Sequence, residues 1–421
     1  MTTSLERKGA RLSKTKDEPI IRSLLDIDFY KITMAQFAWV YRRSVVVGYG
    51  YKNRTTGIRV ADFVPVEELC EQLEHTRTLR FTEAEIDYLR SLEGLFDEDF
   101  LDFFREVRLP EISLRVVDGQ FAIETEGKWS EAIFWETIIL SIVNELYYRN
   151  LLAREGKTIQ DLYPEGMRRL GVKKAKLKAN PRVRFTEFGT RRRACREWQR
   201  NVTEDLANEV PTQLLGTSNV HLAITLHLDP FGTCAHEDDM VYGALAGDDD
   251  EMLRASHKQM LEDWWSLYGE RLAVALTDTF GSDFFFEDFT REQACNWRGM
   301  RQDSGNPYEF GEREIAFYQI FGIDPKTKLL LPSDGLDVDL MIGLTNRFAD
   351  RINIVHGWGT NLTNDLGLDP ISHVVKAISA NGVHTVKLSD NLAKATVDPK
   401  DIARYKRVFG YTRTASQETV Y

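Results

Sequence analysis

One histidine lies beside three carboxylates in the segment FGTCAHEDDM, residues 231–240. His236 follows a run of small residues and directly precedes Glu237, Asp238 and Asp239. Small residues let a ligand approach the backbone closely, and neighbouring carboxylates raise the basicity of an imidazole. The segment is compatible with a metal ligand, a general base, a phosphate carrier or an ordinary histidine at a helix start.

Two further segments combine arginine with groups that suit anionic or aromatic ligands. FGTRRR begins at Phe188 and contains Arg191, and a guanidinium forms paired hydrogen bonds with carboxylates and phosphates. In RQDSG, Arg301 and Asp303 are two residues apart at a predicted strand end, so both side chains can point into one site. The alternatives are a solvated helix start for FGTRRR and a surface ion pair for RQDSG.

Glycine-bearing turns follow two later apolar runs. Asp334 and Gly335 come after LLLPS, and Asp-Gly pairs are common in ordinary turns. VHGWGTN places Gly357 and Gly359 around a tryptophan, with Thr360 before a helical pattern. That order is typical of a phosphate-binding turn between strand and helix, although it is not a Walker loop because no GK[ST] follows.

Such turns need strands that end at a common edge. From about residue 180, short apolar runs end in polar turns and lead into helical patterns, which predicts βα units and a parallel sheet. Residues from about 20 to 155 instead mix strand-like runs with acidic helical stretches. EAIFWETIILSIVNELYYRNLLA predicts one long helix with an apolar stripe on its core face.

Composition excludes several classes of protein. The chain has 421 residues, enough for two cores, and its net charge of −11 argues against a general nucleic-acid binder. The best candidate for a membrane span, AIFWETIILSIV, is interrupted by Glu136. Four scattered cysteines without a CxxC pair indicate reduced thiols, so we expect a cytoplasmic protein.

Taken in order, the motifs resemble those of the nicotinate phosphoribosyltransferase family. The resemblance extends from about residue 24 to 394 and is carried by LLDIDFYKITMAQ, FTEFGTRRR, GTSNVHLA, GTCAHED, LTDTFGSD, RQDSG, SDG, GWGTN and KLSDN. It implies an α/β fold of the type II phosphoribosyltransferases: an irregular, TIM-like α/β barrel over residues 156–389. An N-terminal α+β domain over 19–155 is expected to be completed by residues 390–421, after a disordered tail at 1–18.

The resemblance also implies a reaction, its cosubstrates and an assembly. Nicotinate and phosphoribosyl pyrophosphate would give nicotinate mononucleotide and pyrophosphate in NAD salvage, with ATP as cosubstrate. Mg²⁺ would be held through substrate phosphates and not by direct protein ligation. A homodimer with shared active sites would form, and neither nucleic acid nor membrane would be a partner.

The family's site residues map onto matching positions of this sequence. Phe188 should stack on the pyridine ring with Tyr30, which the partner subunit would contribute, and Arg191 should lie near substrate and phosphates. The other expected positions are Asp28 near the substrate, Asp278, Arg301 and Asp303 for the ribosyl and pyrophosphate groups, Asp334 and Gly335 for the ribose, and Gly357, Gly359 and Thr360 for the 5′-phosphate.

Two positions carry finer expectations. Ser218 stands where the related nicotinamide-using enzyme has aspartate, so nicotinate's carboxylate should meet a hydroxyl donor instead of a negative charge. His236 should be phosphorylated by ATP, with Glu237 orienting its imidazole. The chain departs from the family pattern at Cys234 and Asp238, beside this histidine.

Three alternatives remain. One is a nicotinamide-using phosphoribosyltransferase. Another is a metal-dependent barrel hydrolase with His236, Glu237, Asp238 and Asp239 as ligands, which adjacency on one helix disfavours. The last is a relative that binds a nucleotide or pyridine without catalysis.

Overall fold

Two kinds of sheet organise the chain, one antiparallel and the other parallel. A computed structural model describes residues 18–391 and 399–412, so most of the predicted N-terminal tail lies outside the described residues. The antiparallel sheet has the strand order β13-β12-β1-β3-β2. Its strands are β1 (Val46–Asn53), β2 (Ile112–Val117), β3 (Gln120–Lys128), β12 (His373–Ala380) and β13 (Val383–His384).

Hairpin chemistry explains the β2–β3 connection. Asp118 and Gly119 both have positive φ, at 52° and 76°. A two-residue hairpin turn favours this conformation, and aspartate followed by glycine is a preferred pair for it. The strand-like runs VVVGYGYKNRT and ISLRVVDGQFAIE are therefore confirmed as strands of one sheet.

Two four-stranded parallel sheets follow, with the orders β10-β9-β8-β7 and β11-β4-β5-β6. Their strands are β4 (Phe185–Glu187), β5 (Leu214–Thr217), β6 (Asp229–Pro230), β7 (Val274–Leu276), β8 (Gly299–Gln302), β9 (Leu329–Pro332), β10 (Asn353–Ile354) and β11 (His356–Trp358). The predicted βα turns follow these strands, which confirms the parallel architecture. VKLSDN is the exception, because it follows the antiparallel β13.

Helices connect and cover the sheets. They span Tyr30–Tyr41, Val66–Thr78, Glu83–Ser91, Glu98–Glu106, Trp129–Ala132, Trp135–Ala153, Tyr163–Ala179, Arg196–Glu209, Val220–Leu226, His236–Leu245, Asp250–Tyr268, Ser282–Asp288, Arg291–Asn296, Pro307–Ile320, Val338–Phe348, Thr360–Thr363 and Pro399–Val408. Across 18–391 and 399–412, none of them combines the length and apolarity that crossing a bilayer requires.

The helix predicted over 131–153 differs from expectation in burial. It runs from Trp135 to Ala153, and its buried residues lie on all sides of its first three turns instead of forming one stripe. A helix that is apolar all round belongs in the interior of a domain. It packs beneath β12 and contacts the turn after β4, so it supports both kinds of sheet.

The C-terminal part of the chain returns to the antiparallel sheet earlier than residue 390. β12 pairs with β1 from Val47↔Ala380 to Asn53↔His373. The later helix Pro399–Val408 instead packs against the parallel part of the fold, where Tyr405 and Phe409 contact Phe280. Residues 392–398 and 413–421 of the predicted returning segment lie outside the described residues.

Candidate active site

A cavity of about 460 Å³ opens where the parallel strands end, beneath β12. This volume lies in the range of small-molecule sites. Most residues predicted for the site line it: Tyr30, Phe188, Arg191, His236, Glu237, Arg301, Asp303, Asp334, Gly335, Gly357, Gly359 and Thr360. The βα turns thus converge as parallel-sheet geometry requires.

One end of the cavity is aromatic and cationic. Phe188 is held by its backbone N–H, which donates to the Trp358 carbonyl at 2.9 Å. A Cβ on Gly357 would lie 2.6 Å from the Phe188 ring, so only glycine lets the ring take this position. The Arg191 guanidinium lies 5.8 Å from the centre of the Tyr30 ring, within reach of a cation–π contact.

Tyr30 corrects one expectation. It lines this cavity from the first turn of its own chain's helix Tyr30–Tyr41, whereas the resemblance implied that the partner subunit contributes it. The helix has no side-chain cap at Phe29. A single chain therefore holds both aromatic rings, Tyr30 and Phe188.

Asp28 and Ser218 lie behind the cavity wall. Ser218 Oγ donates to Asp28 Oδ1 at 2.6 Å, and both residues are buried. Burial raises the pKa of Asp28. Because its only proton is directed at Asp28, the Ser218 hydroxyl is not available to a ligand carboxylate, contrary to the sequence-based expectation. Arg191 lines the cavity and lies beside the Tyr30 ring, so it offers a cation at the ring end.

His236 begins the helix His236–Leu245, and its Nε2 faces charged groups of the cavity. Nε2 lies 2.9 Å from Asp303 Oδ2, 2.6 Å from Lys387 Nζ and 3.8 Å from Asp278 Oδ1. Burial, followed by the Lys387 cation, lowers the pKa of His236 to about 4. The imidazole is therefore neutral at pH 7, the form that carries a nucleophilic lone pair.

The other ring nitrogen faces the protein interior. His236 Nδ1 lies 3.0 Å from Thr279 Oγ1, and that hydroxyl donates to Asp239 Oδ2 at 2.7 Å. Burial raises the pKa of Asp239 to about 6. No local pattern predicts either contact, although Asp239 belongs to FGTCAHEDDM and Thr279 directly follows Asp278.

Glu237 does not orient the imidazole, which corrects the expected role. Its carboxylate accepts hydrogen bonds from Lys31 Nζ at 2.7 Å, Tyr49 Oη at 2.6 Å and Trp129 Nε1 at 2.7 Å. Consecutive residues on a helix point about 100° apart, so Glu237 diverges from His236. Lys31 also lies 2.5 Å from Glu136, so one buried cation joins two carboxylates.

Asp238 and Asp239 are both buried, so neither faces water. Asp238 Oδ2 accepts from the Ala235 backbone N–H at 3.3 Å, and burial together with Glu237 raises its pKa well above the usual value. Glu237 and Asp238, two of the four ligands in the hydrolase alternative, therefore bind partners that His236 does not share. A different set, His236, Asp278 and Asp303, places potential ligand atoms within 4.8 Å of one another.

Asp278 and Arg301 are buried beneath the charged end of the cavity. Asp278 Oδ2 accepts from Ser304 Oγ at 2.6 Å and from Ser389 Oγ at 3.1 Å. Asp278 itself does not line the cavity. Arg301 is fixed by Thr233 Oγ1 at 2.8 Å and Ser333 Oγ at 3.1 Å, and its NH2 lies 3.5 Å from Asp303 Oδ1.

Four cationic residues that line the cavity were not among the residues predicted for the site. Arg54 follows β1, Arg192 follows Arg191, Lys376 lies on β12, and Lys387 belongs to VKLSDN. Arg192, in FGTRRR, and Lys387, in VKLSDN, lay in motifs already singled out. Arg54 and Lys376 reach the cavity only because the antiparallel sheet covers it, which no local pattern indicates.

Comparison with known proteins agrees with this geometry. Residues 25–144 match the nicotinate phosphoribosyltransferase (NAPRTase) N-terminal domain, and residues 183–413 match the nicotinate phosphoribosyltransferase (NAPRTase) family. The crystal structure of nicotinate phosphoribosyltransferase from Vibrio cholerae is 35% identical with a TM-score of 0.85, covering 94% of this chain and 96% of that chain. The enzyme from Porphyromonas gingivalis is 30% identical with a TM-score of 0.83, covering 93% and 100%.

Proposed function

The chain belongs to the nicotinate phosphoribosyltransferase family, and we propose that ATP drives its reaction through phosphorylation of His236. As a member of this family it transfers the phosphoribosyl group of phosphoribosyl pyrophosphate to nicotinate in NAD salvage. The observation that carries the ATP proposal is the neutral imidazole of His236, whose Nε2 faces the same cavity as the pyridine and phosphate turns.

We assign the aromatic end of the cavity to nicotinate. The Tyr30 and Phe188 rings would stack on the pyridine, and Arg191 would bind the carboxylate. Arg191 is already near Glu136, at 3.2 Å, and near Asp28, at 3.7 Å. These two carboxylates would hold its guanidinium in place before the substrate enters.

Transfer builds positive charge at the anomeric carbon while pyrophosphate leaves. In the proposal, Asp303 and Asp278 stabilise the ribosyl cation and Arg301 binds the leaving phosphates. Asp334 and Gly335 would bind the ribose hydroxyls, and the turn from Gly357 through Gly359 to Thr360 would bind the 5′-phosphate.

Magnesium fits the carboxylate side of this cavity. Asp278 Oδ1 is buried and accepts no hydrogen bond from the described residues, and carboxylate oxygen is the ligand that Mg²⁺ prefers. Asp278 and Asp303 would hold a hydrated ion against substrate phosphates. When bound, the ion would neutralise charge on the leaving pyrophosphate.

We also infer that the two parallel sheets form one irregular barrel. Only Val355 separates β10 from β11; its N–H donates to Leu330 in β9 at 3.2 Å, while His356 N–H donates to Arg184 beside β4 at 3.0 Å. One segment thus bridges both sheets. Opposite it, Cys234 Sγ donates to the Val274 carbonyl at 3.7 Å, linking the turn after β6 to β7.

A homodimer in the cytoplasm completes the proposal. All four cysteines are free thiols, which suits a reducing compartment. Tyr30 already reaches its own chain's cavity, so a partner subunit would not have to supply that ring. Sedimentation at several concentrations tests the dimer.

To test the function, the protein is incubated with phosphoribosyl pyrophosphate, Mg²⁺ and either nicotinate or nicotinamide, with and without ATP. The products are identified by mass spectrometry. We expect nicotinate mononucleotide, faster with ATP, together with a phosphorylated peptide containing His236. The His236→Ala variant should retain part of the transfer activity and lose ATP hydrolysis. Equal ATP hydrolysis by this variant refutes the phosphohistidine, and turnover of nicotinamide alone refutes the assignment of Arg191.

A further inference from the structure

His236, Thr279 and Asp239 form a hydrogen-bonded chain that leads away from the cavity. His236 Nδ1 lies 3.0 Å from Thr279 Oγ1, and Thr279 Oγ1 lies 2.7 Å from Asp239 Oδ2. Thr279 and Asp239 are 2% and 1% exposed, so water does not compete for these bonds. Neither residue lines the cavity.

The chain decides where the imidazole proton lies. A hydroxyl has one proton, and that of Thr279 is donated to Asp239. Toward His236 the hydroxyl oxygen can therefore only accept, which requires a proton on Nδ1. Lys387 Nζ lies 2.6 Å from Nε2, and an ammonium can only donate, so this contact also requires a lone pair on Nε2. The Asp303 carboxylate lies farther from Nε2, at 2.9 Å, and the shorter contact with Lys387 makes Nε2 the acceptor.

We propose that Thr279 and Asp239 are positioning residues that keep the proton on Nδ1 of His236, so that Nε2 accepts the γ-phosphoryl group of ATP. The inference rests on the proposed phosphorylation of His236. In the forward step the Nε2–P bond forms, the bond from the γ-phosphorus to the β,γ-bridging oxygen breaks, and ADP leaves with that electron pair. Water later attacks phosphorus, the Nε2–P electron pair returns to the ring, and both protons of the water leave with the phosphate as dihydrogen phosphate.

The position of Asp239 suits this role. Phosphorylation at Nε2 with a proton on Nδ1 places positive charge on the ring, and Asp239 offsets it through the Thr279 hydroxyl, as a carboxylate does in a catalytic triad. Its carboxylate lies on the side of the imidazole away from the incoming phosphate. The negative charge of Asp239 is therefore favourable, because it acts on the ring and not on the phosphoryl oxygens.

The helix supplies its own control. Asp238 is as buried as Asp239 and lies one residue away, but its Oδ2 accepts from the Ala235 backbone and its Oδ1 has no hydrogen-bond partner among the described residues. Asp238→Asn keeps an acceptor for that bond and should leave phosphorylation unchanged. Thr279→Val preserves the shape of the side chain and removes the hydroxyl, whereas Thr279→Ser restores it.

The experiment measures phosphoenzyme formation from labelled ATP and Mg²⁺ on the full chain. Loss of a group that orients an imidazole costs about 10–100-fold, so we expect Thr279→Val to slow phosphorylation by that factor and Thr279→Ser to recover most of the rate. Alkaline digestion and chromatography then identify the phosphohistidine isomer, and the wild-type protein should yield only the Nε2 isomer. Nitrogen-15 NMR of labelled histidine should detect the proton on Nδ1 in the wild type and its loss from Nδ1 in Thr279→Val.

Each result is decisive. Wild-type phosphate on Nδ1, or phosphorylation of Thr279→Val at the wild-type rate, overturns the inference and leaves the phosphorylation of His236 intact. Phosphorylation of His236→Ala overturns the proposed function itself. The isomer assay uses the wild-type protein alone, so the inference is tested even if a variant does not fold.

Discussion

Replacing Lys31 with methionine should destabilise the protein strongly. The ammonium group is fully buried and lies 2.5 Å from Glu136 and 2.7 Å from Glu237, which are 13% and 7% exposed. Methionine has a similar length but no charge, so Glu237 would lose its buried cation and Glu136 would keep only Arg191, at 3.2 Å. Removing one partner of a buried ion pair costs about 3–5 kcal/mol, and we expect a loss of unfolding free energy in that range.

The loss should depend on pH in a defined direction. Burial raises the pKa of Glu136, but Lys31 and then Arg191 outweigh burial and hold the pKa below its ordinary value of 4.5. A carboxyl with a lowered folded-state pKa contributes stability above its unfolded pKa and loses it as pH falls through the folded value. The difference in unfolding free energy between wild type and Lys31→Met should therefore be largest at neutral pH and should become smaller below about pH 4.5.

Guanidinium unfolding followed by tryptophan fluorescence measures this difference. The matched control is Lys176→Met, because Lys176 pairs with Asp339 at 2.6 Å on the surface, where the two side chains are 39% and 66% exposed. Exposed pairs contribute about 0–1 kcal/mol. Equal losses in Lys31→Met and Lys176→Met, or a Lys31→Met loss that does not change with pH, would refute the reasoning.

Two further substitutions test the ring end of the cavity. Gly357→Ala places a Cβ 2.6 Å from the Phe188 ring, and displacing a substrate-positioning group by about 1 Å can lower the rate 100-fold. Steady-state kinetics should therefore show a lower kcat/KM for nicotinate. An unchanged kcat/KM contradicts the stacking role of Phe188. Ser218→Ala removes a donor from buried Asp28, so denaturation should show a loss of about 1–3 kcal/mol. The preference of Ser218→Ala for nicotinate over nicotinamide should persist, and a switch to nicotinamide would show that the hydroxyl does reach the substrate.

Local patterns in the sequence were enough to predict the parallel half of the fold and much of the cavity. Each short apolar run ending in a polar turn, except the one that ends in VKLSDN, formed a parallel strand with its turn at the carboxyl end. Parallel strands bring these ends together whatever the sequences between them. Residues far apart in the chain could therefore be assigned to one cavity.

Contacts between distant segments were not predictable in the same way. Lys376 reaches the cavity because β12 pairs with β1. The residue pattern of one strand does not indicate which other strand it pairs with. Glu237 was expected to orient its neighbour His236, but the buried ammonium of Lys31 holds it elsewhere. The group that lies next to the imidazole is instead the Thr279 hydroxyl, 3.0 Å from His236 Nδ1. Side-chain partners of buried charges depend on the whole packing arrangement, which spacing along the chain does not reveal.

The yield of the reaction at equilibrium tests the central claim most directly. If phosphorylation of His236 couples ATP hydrolysis to transfer, ATP and Mg²⁺ should change the composition that the wild-type reaction finally reaches. The final ratio of products (nicotinate mononucleotide and pyrophosphate) to substrates (nicotinate and phosphoribosyl pyrophosphate) should be higher with ATP than without it. His236→Ala should reach the same lower ratio with or without ATP. A wild-type ratio that ATP does not change, even if it is reached sooner, would contradict the account.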